Sequence, residues 1–303
     1  MKHQTDRRGF LAGVGAAALL SERNSLAAQI TMPTRPIPAS GEALPIIGFG
    51  SSEAVVGIPK EGSEPVGRVL DLLLDAGCRV VDSSPRSEDI DRAFGALLQQ
   101  RGRERLFIAA KLNTDSAEAG VAQFRQTRRL FGRKLDLIQI ESLRGLEGHW
   151  PNLRRWKDAG EVRYIGVTVS STAAHERMEA FMRRESPDFV HVNYSVVETA
   201  AEERLLPMAR ERRMAVLTNR PFMNGSYFQR VANRPVPEWA TEFGCHTWAE
   251  FSLKYILAHP AVNCALTETT SPQHMQENIG AALGRLPDEA TRRKMRELVR
   301  QFA

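Results

Sequence analysis

The chain has 303 residues, of which 42% are apolar and 25% are charged, a mixture typical of soluble globular proteins and not of long disorder. Three cysteines are too few for a scaffold held together by disulfides, and no run of 18 apolar residues predicts a membrane-spanning helix in the mature chain. Four basic and two acidic residues fall within residues 1–28, so the other 275 residues carry only +3 of the net charge of +5. A charge this small and dispersed argues against nucleic acid as a partner.

Residues 1–28 have the pattern of an export signal. Arg7 and Arg8 precede a ten-residue apolar run, 11–20, which suits a signal peptide and is too short to cross a bilayer. The arginine pair resembles a twin-arginine signal, which is recognised by the twin-arginine export machinery and is typical of proteins exported in the folded state. We therefore expect an exported, periplasmic protein, with residues 29–43 forming a linker or a short leading hairpin. An amphipathic N-terminal helix is the alternative.

From residue 44 onward, short apolar runs alternate with longer segments of 3.6-residue periodicity. The apolar runs predict strands over 45–50, 79–82, 106–111, 135–140, 163–169, 189–193, 215–219 and 262–267. The periodic segments predict helices over 66–76, 87–100, 117–130, 150–158, 173–184, 201–212, 239–259 with a break near Gly244, and 272–283. An amphipathic C-terminal helix is predicted over 287–302.

Eight strands, each followed by a helix, predict an α/β protein built as a single (β/α)8 TIM barrel over residues 44–303, with a C-terminal helix. Continuous apolar runs are typical of parallel strands that are buried on both faces. An open, doubly wound sheet is the competing fold, and it would carry a glycine-rich phosphate loop after its first strand. The segment Ile47-Gly48-Phe49-Gly50 lacks the third glycine of that loop, which favours the barrel.

In a barrel of this kind, functional residues lie where strands end and loops begin. Asp82, Lys111 and Glu141 end three successive predicted strands, so we expect their side chains to converge. A lysine between two carboxylates couples their titration and can tune an acid near pH 7. A buried ion pair with no chemistry is the alternative interpretation. A lysine in the cluster argues against a bound cation and no histidine pair has ligand spacing, so we predict no metal site.

Several motifs, taken together in order and spacing, resemble the aldo-keto reductases over about residues 31–295, and most closely the branch that carries a twin-arginine signal. The best-matching stretches are Ile37-Pro38-x-Ser40-Gly41-Glu42, Val81-Asp82-Ser83-Ser84-Pro85, Asp136-Leu137-Ile138-Gln139, Val162-Arg163-Tyr164-Ile165-Gly166-Val167-Thr168, Val192-Asn193-Tyr194-Ser195, Asn219-Arg220-Pro221-Phe222 and His274-Met275-x-x-Asn278.

The resemblance implies reduction of a carbonyl with a nicotinamide cofactor, usually NADPH. In the family an Asp, a Tyr, a Lys and a His carry the chemistry, and the Tyr hydroxyl protonates the carbonyl oxygen. Asp82 and Lys111 match the Asp and the Lys. No tyrosine follows Pro85, where the family has one, and Glu141 stands at the His position, as in members that reduce carbon–carbon double bonds. The catalytic tetrad is therefore degenerate.

The cofactor site implied by the resemblance is also altered. The matching positions are Thr168, His191, Asn219, Arg220, Ser271, Glu277 and Asn278. His191 replaces a Gln, and the partner of Thr168 is Val169 instead of Asn. Where the family has a small Gly and a cation for the 2′-phosphate, this chain has Glu268 and Ser271. A phosphate site needs donors and positive charge, so a carboxylate at Glu268 would repel it.

These residues leave two classes of function open for a small-molecule substrate. The first is a nicotinamide-dependent oxidoreductase that acts weakly on a small carbonyl or enone, with Glu141, a water, or Ser83 or Ser84 as the proton donor. The second is a barrel without redox chemistry, either an isomerase- or lyase-type acid–base enzyme or a ligand-binding pseudoenzyme. Tyr194 and Tyr227 are the candidates for a tyrosine supplied from elsewhere in the chain. The family resemblance implies a monomer.

Overall fold

The structure is a computed structural model that describes residues 31–132 and 135–302. The export signal predicted for residues 1–28 lies outside the described residues. Across the described ranges, no helix combines the length and the apolar character needed to cross a membrane.

The described chain begins with an antiparallel hairpin of two short strands, β1 (Thr34–Pro36) and β2 (Ala43–Pro45), with Thr34 opposite Pro45. The N–H of Ile37 donates to the carbonyl of Glu42 at 2.8 Å and closes the turn. The strand predicted over 45–50 is therefore wrong at its start. Pro45 ends the hairpin because it lies in the register of β1, and the barrel begins two residues later.

Eight parallel strands form a closed barrel, in the order β10-β3-β4-β5-β6-β7-β8-β9. They are β3 (Ile47–Phe49), β4 (Val80–Ser83), β5 (Phe107–Leu112), β6 (Leu135–Glu141), β7 (Val162–Thr168), β8 (Phe189–Asn193), β9 (Ala215–Asn219) and β10 (Cys264–Thr267). The predicted TIM barrel is confirmed. The last strand starts at Cys264 instead of residue 262, because the side chain of Asn263 replaces ladder pairing: its Oδ1 accepts the N–H of Val216 at 2.8 Å.

Helices surround the barrel. They are α1 (Ile58–Glu61), α2 (Glu64–Asp75), α3 (Glu88–Gln100), α4 (Ala117–Phe131), α5 (Leu146–Asp158), α6 (His175–Arg184), α7 (Leu205–Glu211), α8 (Ser226–Arg230), α9 (Trp248–Leu257), α10 (Pro272–Gly280) and α11 (Glu289–Arg300). The long helix predicted over 239–259 is two elements: a 3-10 segment, Glu238–Phe243, ends at Gly244 with φ 70°, and α9 follows. Thr247 and Glu250 form a capping box that starts α9.

Two more helices differ from their predicted spans. The helix predicted over 201–212 is shorter, because Arg204, with φ −138°, separates α7 from a 3-10 turn at Ala200–Glu202. The C-terminal helix predicted over 287–302 is present as α11. Its Arg292 is 3% exposed and donates to the carboxylate of Glu202 and, at 3.2 Å, to the carbonyl of Tyr255. A buried cation with these partners fixes α11 against the barrel.

The interior of the barrel is built by alternation, because every second side chain of a strand points inward. Twelve buried residues form one apolar cluster: Ile37, Leu44, Val80, Phe107, Ala109, Leu137, Tyr164, Phe189, Ala215, Leu217, Cys264 and Leu266. Two of them come from the hairpin, which therefore closes the amino-terminal end of the barrel. Continuing the same alternation brings Asp82, Lys111 and Glu141 to the inner face at the other end.

We expect Gly48→Ala to destabilise the protein by about 1–3 kcal/mol, because a new Cβ would overpack the barrel wall. That atom would lie 2.8 Å from Val80 Cβ and 2.9 Å from Leu266 Cδ2. Urea unfolding would measure the change as a lower midpoint at constant m value. Gly50→Ala is the matched control, since its Cβ would meet neighbours at 3.7 Å or more. Equal midpoints for the two variants would contradict this packing argument.

Candidate active site

A cavity of about 500 Å³ opens at the carboxyl ends of the barrel strands, where TIM barrels carry their sites. It brings together seven of the ten predicted catalytic and cofactor-binding residues: Asp82, Lys111, Glu141, Thr168, His191, Asn219 and Arg220. The other three lie on another part of the fold: Ser271 caps α10, and Glu277 and Asn278 belong to that helix. They are not among the residues that line the cavity.

The base of the cavity holds a buried ion pair between Lys111 and Asp82, which are 5% and 4% exposed. The Nζ of Lys111 donates to Asp82 Oδ2, and Nε2 of Gln139 donates to the other oxygen at 3.3 Å. Gln139 was not predicted as a site residue, although it shares the inward alternation of β6 with Glu141. Strand pairing aligns these groups, since Lys111 lies opposite Gln139 in the register of β5 and β6.

Ser84 links the ion pair to Glu141. Its hydroxyl accepts from Lys111 Nζ at 3.0 Å and donates to Glu141 Oε1 at 3.0 Å. The second oxygen, Oε2, is buried and has no hydrogen-bond partner within the described residues. Glu141 lines the cavity and Ser84 does not. The serine therefore holds one oxygen of the carboxyl group and leaves the other to accept or donate a proton.

The turn after β6 fixes the direction of Glu141. Ser142 and Leu143 both have left-handed backbone angles, with φ 54° and 56°, which cost residues other than glycine about 1–3 kcal/mol each. The turn is held by the N–H of Arg144, which donates to the carbonyl of Glu141 at 3.0 Å. The guanidinium of Arg177 donates to the carbonyl of Leu143 at 2.7 Å. Backbone strain concentrated beside a carboxylate in a cavity is typical of functional sites.

His191 and Asn219 bring unsatisfied polar atoms to the cavity. His191 is 1% exposed, and neither ring nitrogen has a hydrogen-bond partner in the described structure; Nδ1 lies 3.9 Å from Asp82 Oδ1. Burial lowers the pKa of His191 to about 4, so the ring is neutral, with one donor and one acceptor. Asn219 donates to the carbonyl of Val169 at 3.0 Å, while its Oδ1 has no partner.

The rim of the cavity is acidic. Glu268 Oε1 accepts from the backbone N–H of Ala54 at 2.7 Å and from that of Glu53. Burial raises the pKa of Glu268, and these two hydrogen bonds oppose the rise. Arg220 is the rim cation, and its Nε donates to Glu198 at 3.2 Å. The arrangement does not resemble a phosphate site, which needs free donors and unpaired positive charge.

No tyrosine reaches the cavity, and all four tyrosines lie in the described residues. Tyr164 is at the closed end of the barrel, with its hydroxyl 2.6 Å from Ser40 Oγ and 2.9 Å from Glu42 Oε2. Tyr194 and Tyr255 donate to Glu202, and Tyr227 donates to the carbonyl of Trp248 at 3.1 Å. Neither Tyr194 nor Tyr227 therefore brings a hydroxyl to the cavity.

Residues 47–296 match the model of the aldo/keto reductase family. The chain belongs to the aldo/keto reductase family. This aldo/keto reductase has no match among curated proteins. Its fold is similar to that of an aldo-keto reductase of Bacillus halodurans in its holo form, with a TM-score of 0.70 and 19% identity over 88% of this chain and 96% of the other.

Two further solved structures share this fold. An aldo-keto reductase of Klebsiella pneumoniae in complex with NADPH has a TM-score of 0.70 and 18% identity, over 89% of this chain and 95% of the other. A glycerol dehydrogenase of Gluconobacter oxydans has a TM-score of 0.69 and 17% identity, over 91% and 95% of the two chains. At this identity the likeness concerns the barrel and leaves the chemistry of the site to be argued from its own residues.

We expect His191 to make stability fall as the pH drops below about 6.5, the ordinary pKa of histidine. Between that value and the folded pKa of about 4, the unfolded chain binds a proton and the folded chain does not. The free energy of unfolding falls by about 2 kcal/mol at pH 5.

Urea unfolding at pH 7.5 and pH 5 would show a smaller fall in this free energy for His191→Gln than for the natural chain. His259 also has a pKa lowered to about 4, but it is present in both proteins and cancels. The same pH dependence in both would refute this assignment.

Proposed function

We propose that the protein is a nicotinamide-dependent oxidoreductase that acts on a small carbonyl or enone, with altered and slow chemistry. The observation that carries this proposal is the buried Lys111–Asp82 pair at the base of the cavity, joined through Ser84 to Glu141. Membership in the aldo/keto reductase family supports the reaction class. The NADPH complex of the K. pneumoniae enzyme supports the cofactor class.

Two side chains of the cavity act on the substrate oxygen, one by stabilising its charge and the other by protonating it. The ammonium group of Lys111, held by Asp82, stabilises negative charge as it develops on that oxygen. Glu141 supplies the proton from Oε2, while Ser84 holds Oε1. Ser84 is a positioning residue, because it does not line the cavity. A reduced nicotinamide, when bound, supplies the hydride.

The residues of the cavity suit the nicotinamide end of such a cofactor better than its phosphate groups. Thr168, His191 and Asn219 line the cavity together, and the unpartnered atoms of the last two suit the carboxamide of a nicotinamide ring. Glu53 and Glu268 oppose the diphosphate and any 2′-phosphate, because like charges repel. We therefore propose that the cofactor binds weakly.

Cofactor binding tests the proposal directly. Calorimetry on residues 29–303 should detect both NADH and NADPH, with NADPH the weaker of the two because it carries the extra phosphate. Glu268→Gln keeps an acceptor for the N–H groups of Glu53 and Ala54 but removes the negative charge. We expect it to tighten NADPH binding by about tenfold, or about 1.4 kcal/mol. No binding of either nucleotide up to about 1 mM, in the natural chain and in the variant, would contradict the proposed function.

Paired serine substitutions test how the proton is delivered. Ser84→Ala should lower reductase turnover by about tenfold, because the hydroxyl orients the carboxyl group of Glu141. Glu141→Gln should cost about 10²–10⁴-fold as the loss of a general acid. Ser83→Ala is the control, since the Ser83 side chain makes no hydrogen bond in the described structure and does not line the cavity. Equal effects of the two serine variants would argue against the bridge.

A second candidate function is supported by the acidic rim. Carboxylates at Glu53 and Glu268 suit a barrel that has left redox chemistry and uses Glu141 as an acid–base group or binds a ligand without turnover. Conversion of a substrate without any nucleotide, abolished by Glu141→Gln, would favour this non-redox enzyme. A folded Glu141→Gln variant that retains full activity would exclude Glu141 as its acid or base.

We propose that the protein is exported to the periplasm by the twin-arginine route, on the strength of Arg7, Arg8 and the apolar run that follows them. Replacing both arginines by lysine keeps the charge and should leave the protein in the cytoplasm. Cell fractionation with antibody detection would measure this. Normal export of the double variant would show that the pair is not a twin-arginine signal.

A further inference from the structure

The cavity carries more negative charge than its cations balance. Lys111 is paired with Asp82, and Arg220 is paired with Glu198, which does not line the cavity. Three lining carboxylates remain: Glu53, Glu141 and Glu268. None of these three forms an ion pair within the described part of the chain. A ligand in the cavity therefore meets an excess of negative charge, in a partly enclosed space where charge interactions are stronger than in water.

The unsatisfied polar atoms of the cavity are mostly acceptors. Glu141 Oε2 and Asn219 Oδ1 are buried without a donor, and the neutral ring of His191, which is 1% exposed, offers a further lone pair. Buried acceptors without donors are unfavourable, so each favours a ligand that brings N–H or O–H groups. These acceptors require a ligand that donates hydrogen bonds, whereas a site for an anion presents donors to its ligand.

Part of the cavity wall is apolar and aromatic. Phe222 and Phe228 line the cavity beside Pro221 and Leu266, and the two rings lie 5.0 Å apart. Phe228 is 42% exposed, one of two large apolar side chains so exposed among the described residues. Aromatic faces attract organic cations as well as apolar groups. The wall therefore suits the carbon body of a small amphipathic molecule.

We propose that the cavity binds an organic ammonium ion, with the protonated nitrogen against Glu141 and the apolar body against Phe222 and Phe228. The inference goes beyond the proposed function: an ammonium ion at Oε2 of Glu141 occupies the oxygen that would deliver the proton, so this ligand is distinct from the carbonyl substrate and competes with it. Binding of the ammonium group itself rests only on the cavity. It uses the unpartnered Oε2 of Glu141 as its acceptor.

Three probes of similar size and different charge test this directly by calorimetry, without any nucleotide present. They are 2-phenylethylammonium, the neutral 2-phenylethanol and the anionic 3-phenylpropanoate. We expect the ammonium probe to bind at least about tenfold more tightly than the alcohol. The carboxylate probe should bind more weakly than either. Equal affinities, a preference for the carboxylate, or no binding of the ammonium probe up to about 10 mM would overturn the inference.

Substitutions of the lining carboxylates test where the ammonium group binds. Glu141→Gln preserves an acceptor for Ser84 but removes the negative charge, so it should abolish most of the tenfold preference for the ammonium probe over the alcohol. Glu242→Gln is the matched control, because Glu242 is exposed and does not line the cavity. If Glu141→Gln does not fold, Glu268→Gln provides a second test, since loss of that carboxylate should also weaken ammonium binding relative to alcohol binding. An unchanged preference in the folded variants would overturn the placement.

The two proposals fail in different ways. Ammonium-selective binding without nucleotide-dependent turnover of any carbonyl or enone would support the cationic ligand and contradict the oxidoreductase. Nucleotide-dependent turnover of neutral carbonyls by a protein with no ammonium preference would do the reverse.

Discussion

The ion pair between Lys111 and Asp82 is the interaction on which the site depends. Both groups are buried, so removal of either partner would strand a charge at a typical cost of about 3–5 kcal/mol. Because the two charges cancel, the inner face below them can be filled with apolar side chains such as Phe107 and Leu137. The groups above them take their positions from the pair: Gln139 and Ser84 each bond to one of its members.

The fold and the convergence of Asp82, Lys111 and Glu141 could be predicted because both follow from local rules. Apolar runs mark buried parallel strands, and alternation decides which residues face inward. The bridge through Ser84 could not be predicted, because it depends on the distance between side chains 57 residues apart. The same holds for Glu268, whose carboxylate bonds to the backbone of a loop 214 residues away. The pattern of apolar and polar residues in the sequence carries no information on either contact.

The interior and the mouth of the barrel are under different constraints. The apolar interior supports the fold, whereas the mouth is assembled from strand ends that can change independently. Here each tyrosine hydroxyl is committed elsewhere, as in the bond of Tyr227 to the carbonyl of Trp248. The cavity is therefore lined by carboxyl groups, among them Glu141 and Glu268, and by no tyrosine of the described residues.

The leading hairpin also governs how molecules pass through the cavity. Ile37 and Leu44 fill one end of the barrel, and the contacts of Tyr164 with Ser40 and Glu42 secure it. Because that end is filled, a molecule in the cavity would enter and leave at the carboxyl ends of the strands. A bulky group bound beside Phe228 would then obstruct the release of a ligand that lies deeper in the cavity.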